Sequence, residues 1–476
     1  MKIVKRIIKF TGILIGVLLL YIGITIAVDT YRTGYLDVTK NKAETNSYLL
    51  TRVNVIPMNQ DTVLTNKMVY VKDGKIQDIQ DSITLENIEV IDGENKYLLP
   101  GLIDMHVHVW DKYELGLYLA NGVTAIRNVW GMPMHLRMKK EINSGTILAP
   151  AFYTTGPKLT GPEFIGDDNL QLFSPEEAKQ KIRSYKARGY DFIKSYYGLT
   201  EDIFEAVVEQ AIESDMDIVA HPSQKVPYAY HFKPQIKSIE HTEDIVQQAL
   251  EFNLDTAKLQ EIIAFFEESP HTGFCPTLMA FYNIYNMLED DDILATDPVR
   301  YINPSIQLVD SKAQFNRWFT TKQQDPAVVD RILQQHQFHL LIIKKLNEAG
   351  VPIACGTDAG IGVTLPGFSL HDELALYQEA GLSNFDILKT ATINASKVHQ
   401  LMNHLGSIEP GKTANLILTD SNPLEDLSTL RKPEMVFVNG RKLNRETLDL
   451  FEVKAKDRPN MMVSIFRYLE NIVVEK

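Results

Sequence analysis

Hydrophobic positions follow three different spacings along this chain, and each predicts a different kind of element. From Phe10 to Val28 every residue is uncharged and nearly all are apolar. As a helix this stretch rises about 28 Å, close to the hydrocarbon thickness of a bilayer. The segment before it, residues 1–9, carries Lys2, Lys5, Arg6 and Lys9. Positive charge is retained on the cytoplasmic side, so residues 10–28 read as a single-pass transmembrane helix with the body outside the cell membrane. The competing reading is a cleaved leader and a secreted product. Leaders have a shorter apolar region ending in a small-x-small site, whereas this one runs on to Ile26-Ala27-Val28-Asp29-Thr30. Residues 29–47 are polar and lack periodicity, as in a stalk.

The second spacing is short β-type runs broken by tight turns: Tyr48 to Pro57, Met68 to Val71 and Ile88 to Asp92, with Lys72-Asp73-Gly74-Lys75 as one of the turns. It returns near the other end, in Ala414 to Leu418 and Met435 to Gly440. The flanks 48–99 and 405–450 thus predict a small β-sandwich built from both ends of the chain.

The third spacing, over 100–404, alternates apolar strands with amphipathic helices. Strand candidates are Leu102–Val107, Val123–Val129, Ala151–Thr155, Asp191–Lys194, Ile218–His221, Ser238–His241, Phe274–Leu278 and Pro352–Asp358. Eight strands with mostly helical connections predict an α/β fold of the (β/α)8 TIM-barrel type, a count that the resemblance described below helps to fix. One helix carries full punctuation: Ser174 as N-cap, Pro175 at N1, Glu176 and Glu177 at the positive end, and Gly189 as the stop. A long insertion, about 280–350, separates the last two strands and is positioned to form a lid or substrate wall. The tail 451–476 has Met462, Ile465, Phe466, Leu469, Ile472 and Val473 at near-helical spacing, which suits packing on the barrel or lying on a membrane surface.

Composition changes the picture little. With 45% hydrophobic and 23% charged residues the chain is globular, and a net charge of −13 argues against nucleic acid as a partner. The two cysteines, Cys275 and Cys355, sit in apolar runs and read as free buried thiols. No Gly-x-Ser-x-Gly elbow suggests a serine nucleophile.

The candidate chemistry lies at the strand ends. Strand one gives His106-Val107-His108, and alternation puts both imidazoles on one side. Later strands end in Lys194, His221, His241 and Asp358. In a parallel barrel these carboxyl ends converge on one mouth, where imidazoles and a carboxylate suit zinc or a similar divalent ion. Each residue alone has an ordinary structural explanation; their coincidence at matching strand ends carries the weight.

Leu99-Pro100-Gly101-Leu102-Ile103-Asp104-Met105-His106-Val107-His108 resembles the strand-one signature of the amidohydrolase superfamily. Phe192-Ile193-Lys194, Val219-Ala220-His221, Ser238-Ile239-Glu240-His241 and Gly356-Thr357-Asp358-Ala359-Gly360 are similar to its later motifs, in the same order. The segment Gly406 to Leu416 resembles the return into that family's sandwich, so the likeness spans about 48–443. Branches similar to imidazolonepropionases and deaminases hold one metal and lack the strand-four lysine. Branches similar to Xaa-Pro and Xaa-Arg dipeptidases carry one, which reacts with carbon dioxide to a carbamate. The resemblance therefore implies two divalent metal ions of the zinc type. His106, His108, Asp358 and carbamylated Lys194 would hold one, and the carbamate, His221 and His241 the other.

The implied reaction is hydrolysis of an amide, in a dipeptide or an N-acyl amino acid, by hydroxide bridging the metals, with Asp358 moving the proton. A cyclic amide or lactone is the alternative substrate, and an inactive tethered binding protein is a further alternative that the complete ligand set disfavours. Tyr228, in the segment after strand five, is the candidate for binding a substrate carboxylate, with Tyr196, Tyr197 and Lys225 behind it. Two departures from the family pattern mark the substrate side: Arg127-Asn128 replaces the common Arg-Asp, and Thr155 to Pro162 lacks the histidine often found there.

Overall fold

The strands of the middle region are apolar on both sides, and in the computed structural model of the protein they are covered on both sides. The structure describes residues 2–43, 45–163, 169–456 and 458–475. Leu102–Val107 and Val123–Asn128 are buried at every position, as parallel strands between a packed interior and a layer of helices must be. They pair in parallel with each other and then with Ala151–Thr154. A second parallel run contains Phe192–Ser195, Asp217–Ala220, Ile236–Glu240 and Gly273–Cys275. Isolated bridges connect the runs: Thr155 with Phe192, Phe274 with Ile353, and Val107 with Ala359.

The segment 352–358, expected as the eighth strand, is not a regular strand. It is nonetheless tied on both sides, by Ala354 N–H to Phe274 O (2.8 Å) and Met105 N–H to Cys355 O (2.8 Å). Its irregularity has a local cause, since Asp358 adopts φ 60° and Thr357 turns its hydroxyl onto Asp104 Oδ2 at 2.7 Å. The whole is a TIM-barrel-type α/β fold. The helix Pro175–Arg188 carries the expected punctuation, with Ser174 Oγ accepting from Glu177 N–H at 3.2 Å and Gly189 at φ 94°.

Both flanks enter one sheet. Leu416–Thr419 pairs antiparallel with Tyr97–Pro100 on one edge and with Met435–Val438 on the other, which joins the two ends of the chain. Hydrogen bonding runs through all eight strands of this sheet. It has its own apolar core, including Tyr48, Leu50, Val53, Val69 and Phe437. Cys275 and Cys355 are free and buried.

The chain termini depart most from expectation. The N-terminal helix, Lys2–Thr33, continues beyond Val28, and residues 34–43 of the expected stalk are docked on the body. Leu36, Val38 and Ala43 are buried, Leu148 N–H donates to Leu36 O (2.7 Å), and Val38 N–H donates to Thr146 O (3.1 Å). A few well-placed apolar residues suffice to hold a segment whose composition is polar overall. At the other end, Met461–Glu475 forms a helix beside the N-terminal one, with Tyr21 and Phe466 edge to face at 6.1 Å and Arg467 donating to Asp29 at 2.8 Å. A buried carboxylate fixes its start. Asp111 accepts from Arg458 (3.1 Å), Asn460 (2.8 Å) and, out of the insertion, Asn303 (2.6 Å).

Candidate metal centre

The strand ends converge. His106 and His108 leave the same side of strand one with ring centroids 5.6 Å apart, and Asp358 Oδ1 lies 3.4 Å from His106 Nε2 and 2.7 Å from His108 Nε2. These three donor atoms all lie within 4.8 Å of one another. The ring of His241 lies 4.6 Å from that of His106 and 4.5 Å from that of His221, so the four imidazoles and the carboxylate form one cluster, with Lys194 buried in the same cavity wall.

Several of these groups approach each other without hydrogen-bonding alignment. Among the described residues, Lys194 Nζ, both ring nitrogens of His221 and Asp358 Oδ1 are buried with no hydrogen-bond partner. Asp244 Oδ2 is only 3.0 Å from His221 Nε2, yet out of line for a bond. Buried polar atoms are costly when unsatisfied, so a set of them on residues lining one cavity is the expected signature of ligands around a cation. The protonation states suit that role. Burial lowers His106 to about 4, aided by the Lys194 ammonium, and lowers His221 and His241 well below the ordinary imidazole range. Burial opposes ionisation of Asp358, but His106 and His108 beside it hold its carboxyl well below the usual range. Lys194 is brought down to about 8, chiefly by burial, against the pull of Glu240 and with a further push from Arg127.

The supporting groups are as well defined as the candidate ligands. His106 turns its Nδ1 to Glu240 Oε2 at 2.5 Å, leaving Nε2 for the centre, and His241 turns its Nδ1 to Thr277 Oγ1 at 2.8 Å. Such partners fix the tautomer and aim of a ligand histidine. Glu240 is in turn gripped by Arg127 Nη2 at 2.8 and 2.9 Å, and Arg127 Nη1 meets His399 Nε2 at 2.7 Å. Burial alone would raise the Glu240 carboxyl, but Arg127 and His106 hold it well below its ordinary value. A second carboxylate–thiol grouping, His106 with Glu240 and Cys275, uses the ring nitrogen and carboxylate already engaged in this support.

Three non-glycine residues at this mouth have left-handed backbones: His241 (φ 69°), Thr277 (φ 51°) and Asp358 (φ 60°). Such strain clusters where side chains must be aimed against the local chain direction. At His241 the consequence is direct, because Glu240 and His241 are consecutive and both reach His106, which regular strand alternation forbids. Close packing adds a constraint at Gly356, where a Cβ would fall 2.7 Å from His106 Cβ.

Asn128, the departure after strand two, has a structural reason. Its Oδ1 accepts from Val109 N–H (2.9 Å) while its Nδ2 donates to Trp130 O (2.9 Å), a double duty that a carboxylate cannot perform. Asn128 thus ties together the loops after strands one and two, which carry Trp110 and Trp130 respectively, tilted rings 4.2 Å apart that both line the cavity.

A cavity of about 530 Å³ opens from the cluster. Tyr196 and Tyr197 line it, with ring centroids 4.4 and 4.1 Å from His221, as does Lys158, whose ammonium lies 4.6 Å over the Tyr196 ring. Tyr228 does not line it. Residues Tyr228–Phe232 turn in a short 3-10 helix that packs the Tyr228 ring against His231 and Phe232 and buries its hydroxyl. Lys225 pairs instead with Glu163 at 2.8 Å, both partly exposed. Two walls were not anticipated in detail: Ile306, Val309 and Asp310 of the insertion, and Ser464, Ile465, Tyr468 and Leu469 of the C-terminal helix.

A sequence profile of the Amidohydrolase family matches residues 97–443. Ochratoxinase from Aspergillus niger is 22% identical over 404 residues, covering 71% of this chain and 73% of that protein. Its crystal structure superposes with a TM-score of 0.61 at 21% identity, over 84% of this chain and 96% of that one. Bottromycin amidohydrolase superposes with a TM-score of 0.73 at 22% identity, over 90% and 95% of the two chains. A Xaa-Pro dipeptidase with bound methionine gives 0.64 at 22% identity, over 84% and 100%. At these identities the structural likeness speaks to the fold.

Proposed function

The chain belongs to the amidohydrolase family, and from that premise we propose that it hydrolyses the amide bond of an N-acyl amino acid or dipeptide at a two-metal centre outside the cytoplasm. The relatives described above are a dipeptidase and amide hydrolases, in keeping with a hydrolase of amide bonds. The observation that carries the two-metal reading is Lys194: a primary amine, 1% exposed, unpaired among the described residues and set among four imidazoles. As an ammonium it would repel a cation. As a carbamate it offers two anionic oxygens. In this reading His106, His108, Asp358 and Lys194 hold one divalent ion, and Lys194, His221 and His241 the other.

When bound, such ions supply the Lewis acidity that makes water nucleophilic at neutral pH and polarises the scissile carbonyl. The chain's residues do the rest. Asp358, with its carboxylate at the His106/His108 end, orients the water, accepts its proton and returns it to the leaving nitrogen. Glu240 and Thr277 keep two imidazoles aimed, and burial keeps them neutral. Trp110 and Trp130 exclude bulk water from one side. Support for a barrel closed by eight segments comes from the bridges through Ile353 and Ala359. Support for the anchor comes from the N-terminal helix, whose outward apolar side chains include Phe10, Leu14, Val17 and Leu20; with basic residues before it, the body lies on the extracytoplasmic side.

Lys158 is the cation placed to meet a substrate carboxylate. Lys158→Met is expected to raise KM for an N-acyl amino acid by about tenfold or more, the worth of one hydrogen bond to a charged group, with kcat little changed. Steady-state kinetics over a library of dipeptides and N-acyl amino acids test both points. No turnover anywhere in the library would contradict the amide reading and favour a cyclic substrate.

A further inference from the structure

Resting on that reading of an anchored amide hydrolase, we propose that the cavity takes its substrate from the bilayer, and that the substrate is an N-acyl amino acid with a long, membrane-dissolved acyl chain. The C-terminal helix Met461–Glu475 carries the argument, because it belongs to two surfaces at once. One side lines the catalytic cavity through Ser464, Ile465, Tyr468 and Leu469. Another side faces the N-terminal helix, where Phe466 meets Tyr21 and a groove runs between Phe466, Leu469 and Val473 on one helix and Ile22 and Ile26 on the other. Leu469 is common to both.

Tyr21 lies seven residues before Val28, so it sits about 10 Å along the helix from the end of the apolar stretch. A helix touching the anchor at that level lies at the depth where amphipathic helices rest in a membrane interface, about 5–10 Å into the headgroup and acyl boundary. The outward side chains agree. Val473 is 83% exposed and Leu469 50%, and across the mouth the insertion presents Leu308 (58%) and Val309 (68%). Soluble surfaces scatter single apolar residues; two separate elements presenting them at one rim, beside a membrane-type helix, mark a lipid contact.

The cavity is polarised to match. Val309, Ile465 and Leu469 line it and are also exposed, so its mouth is apolar, while its inner end holds the imidazole cluster and Lys158. A carbonyl at the cluster would then have its acyl chain leading out past Leu469 into lipid and its amino-acid carboxylate toward Lys158. Hydrolysis breaks the C–N bond, adds the water oxygen to the acyl carbon and its proton to the nitrogen. A fatty acid returns to the bilayer and a free amino acid leaves to water. A water-soluble dipeptide would have no use for this rim.

The test uses the full chain, loaded with zinc, in phosphatidylcholine vesicles, with N-acetyl-, N-octanoyl- and N-palmitoyl-phenylalanine as substrates. The palmitoyl compound is expected to have a kcat/KM at least about tenfold above the acetyl compound, since its acyl chain concentrates it in the bilayer that the mouth faces. The double variant Leu308→Glu/Val473→Glu, outside the cavity lining, is expected to lose most of that advantage while acetyl turnover is unchanged. Acetyl turnover equal to or above palmitoyl turnover would overturn the inference and leave amide hydrolysis standing. Turnover of none of the three would remove the amide reading and the inference with it. A second readout is independent of catalysis: because Cys275 and Cys355 are buried, a fluorophore attaches selectively at Leu308→Cys or Val473→Cys. Quenching by lipids brominated on their acyl chains is expected at both positions, and none at either would overturn the bilayer contact.

Discussion

Lys194→Ala is expected to leave a folded protein that has lost metal and activity together. The side chain is buried, so its removal opens a small cavity, but no partner is stranded, because Nζ has no hydrogen-bond partner among the described residues. In the proposed reading, what disappears is the carbamate that both ions would share. Without it the ion proposed at His221 and His241 would lose its anionic ligand from Lys194, and that ion should leave first. Losing several kcal/mol of transition-state charge stabilisation corresponds to a fall of about 1,000-fold or more in kcat/KM. Short carboxylic acids or bicarbonate, which can occupy the vacated space as anions, should restore part of both properties. The checks are metal content and turnover on one preparation, with circular dichroism to show that the fold survives. A variant retaining full metal and rate would mean that Lys194 is a packing residue.

Arg127→Met is expected to cost stability as well as activity. Arg127 and Glu240 are both fully buried and bonded twice to each other, and Arg127 also reaches Met105 O and His399. Methionine fills much of the volume but takes the guanidinium away from the buried Glu240 carboxylate, leaving it His106 and Ser238 as hydrogen-bond partners. Removing one partner of a buried pair costs about 3–5 kcal/mol, which denaturant unfolding would read directly. Unfolding should be shifted even in protein stripped of metal, because the pair lies one shell out from the centre. The candidate ligand His106 depends on Glu240 for its tautomer, so metal affinity should also fall, by about 10–100-fold. Arg127→Met/Glu240→Gln should recover much of the stability without recovering the affinity. Equal stability of wild type and Arg127→Met would show that the pair is not what holds this core together.

The sequence makes the strand-end residues legible for a simple reason: a parallel strand buried on both faces is an apolar run, so a histidine, lysine or aspartate at its end stands out. The six candidate ligands all come from such ends, and the structure gathers them at one mouth. Glu240 is hidden by the same logic, since alternation turns it away from His241, and only the left-handed backbone at His241 lets both reach His106. Arg127 and Asn128 are visible as a departure from a family pattern, but their work is in long-range contacts to Glu240 and Val109 that no local spacing encodes. Tyr228 shows the opposite failure. Proximity to a strand end suggested a place in the cavity, while a short 3-10 turn carries its ring into the surrounding shell. The tail illustrates how an apolar stripe states that a face is buried without stating against what; the contacts of Tyr468 and Phe466 with two different surfaces belong to the tertiary structure alone.

The two-metal centre is the claim on which the rest depends, and its most direct test is the number of divalent ions per chain in purified full-length protein after zinc loading and removal of excess. The account predicts close to two, falling with Lys194→Ala. A chain that saturates at one ion, or one that binds none, would contradict it.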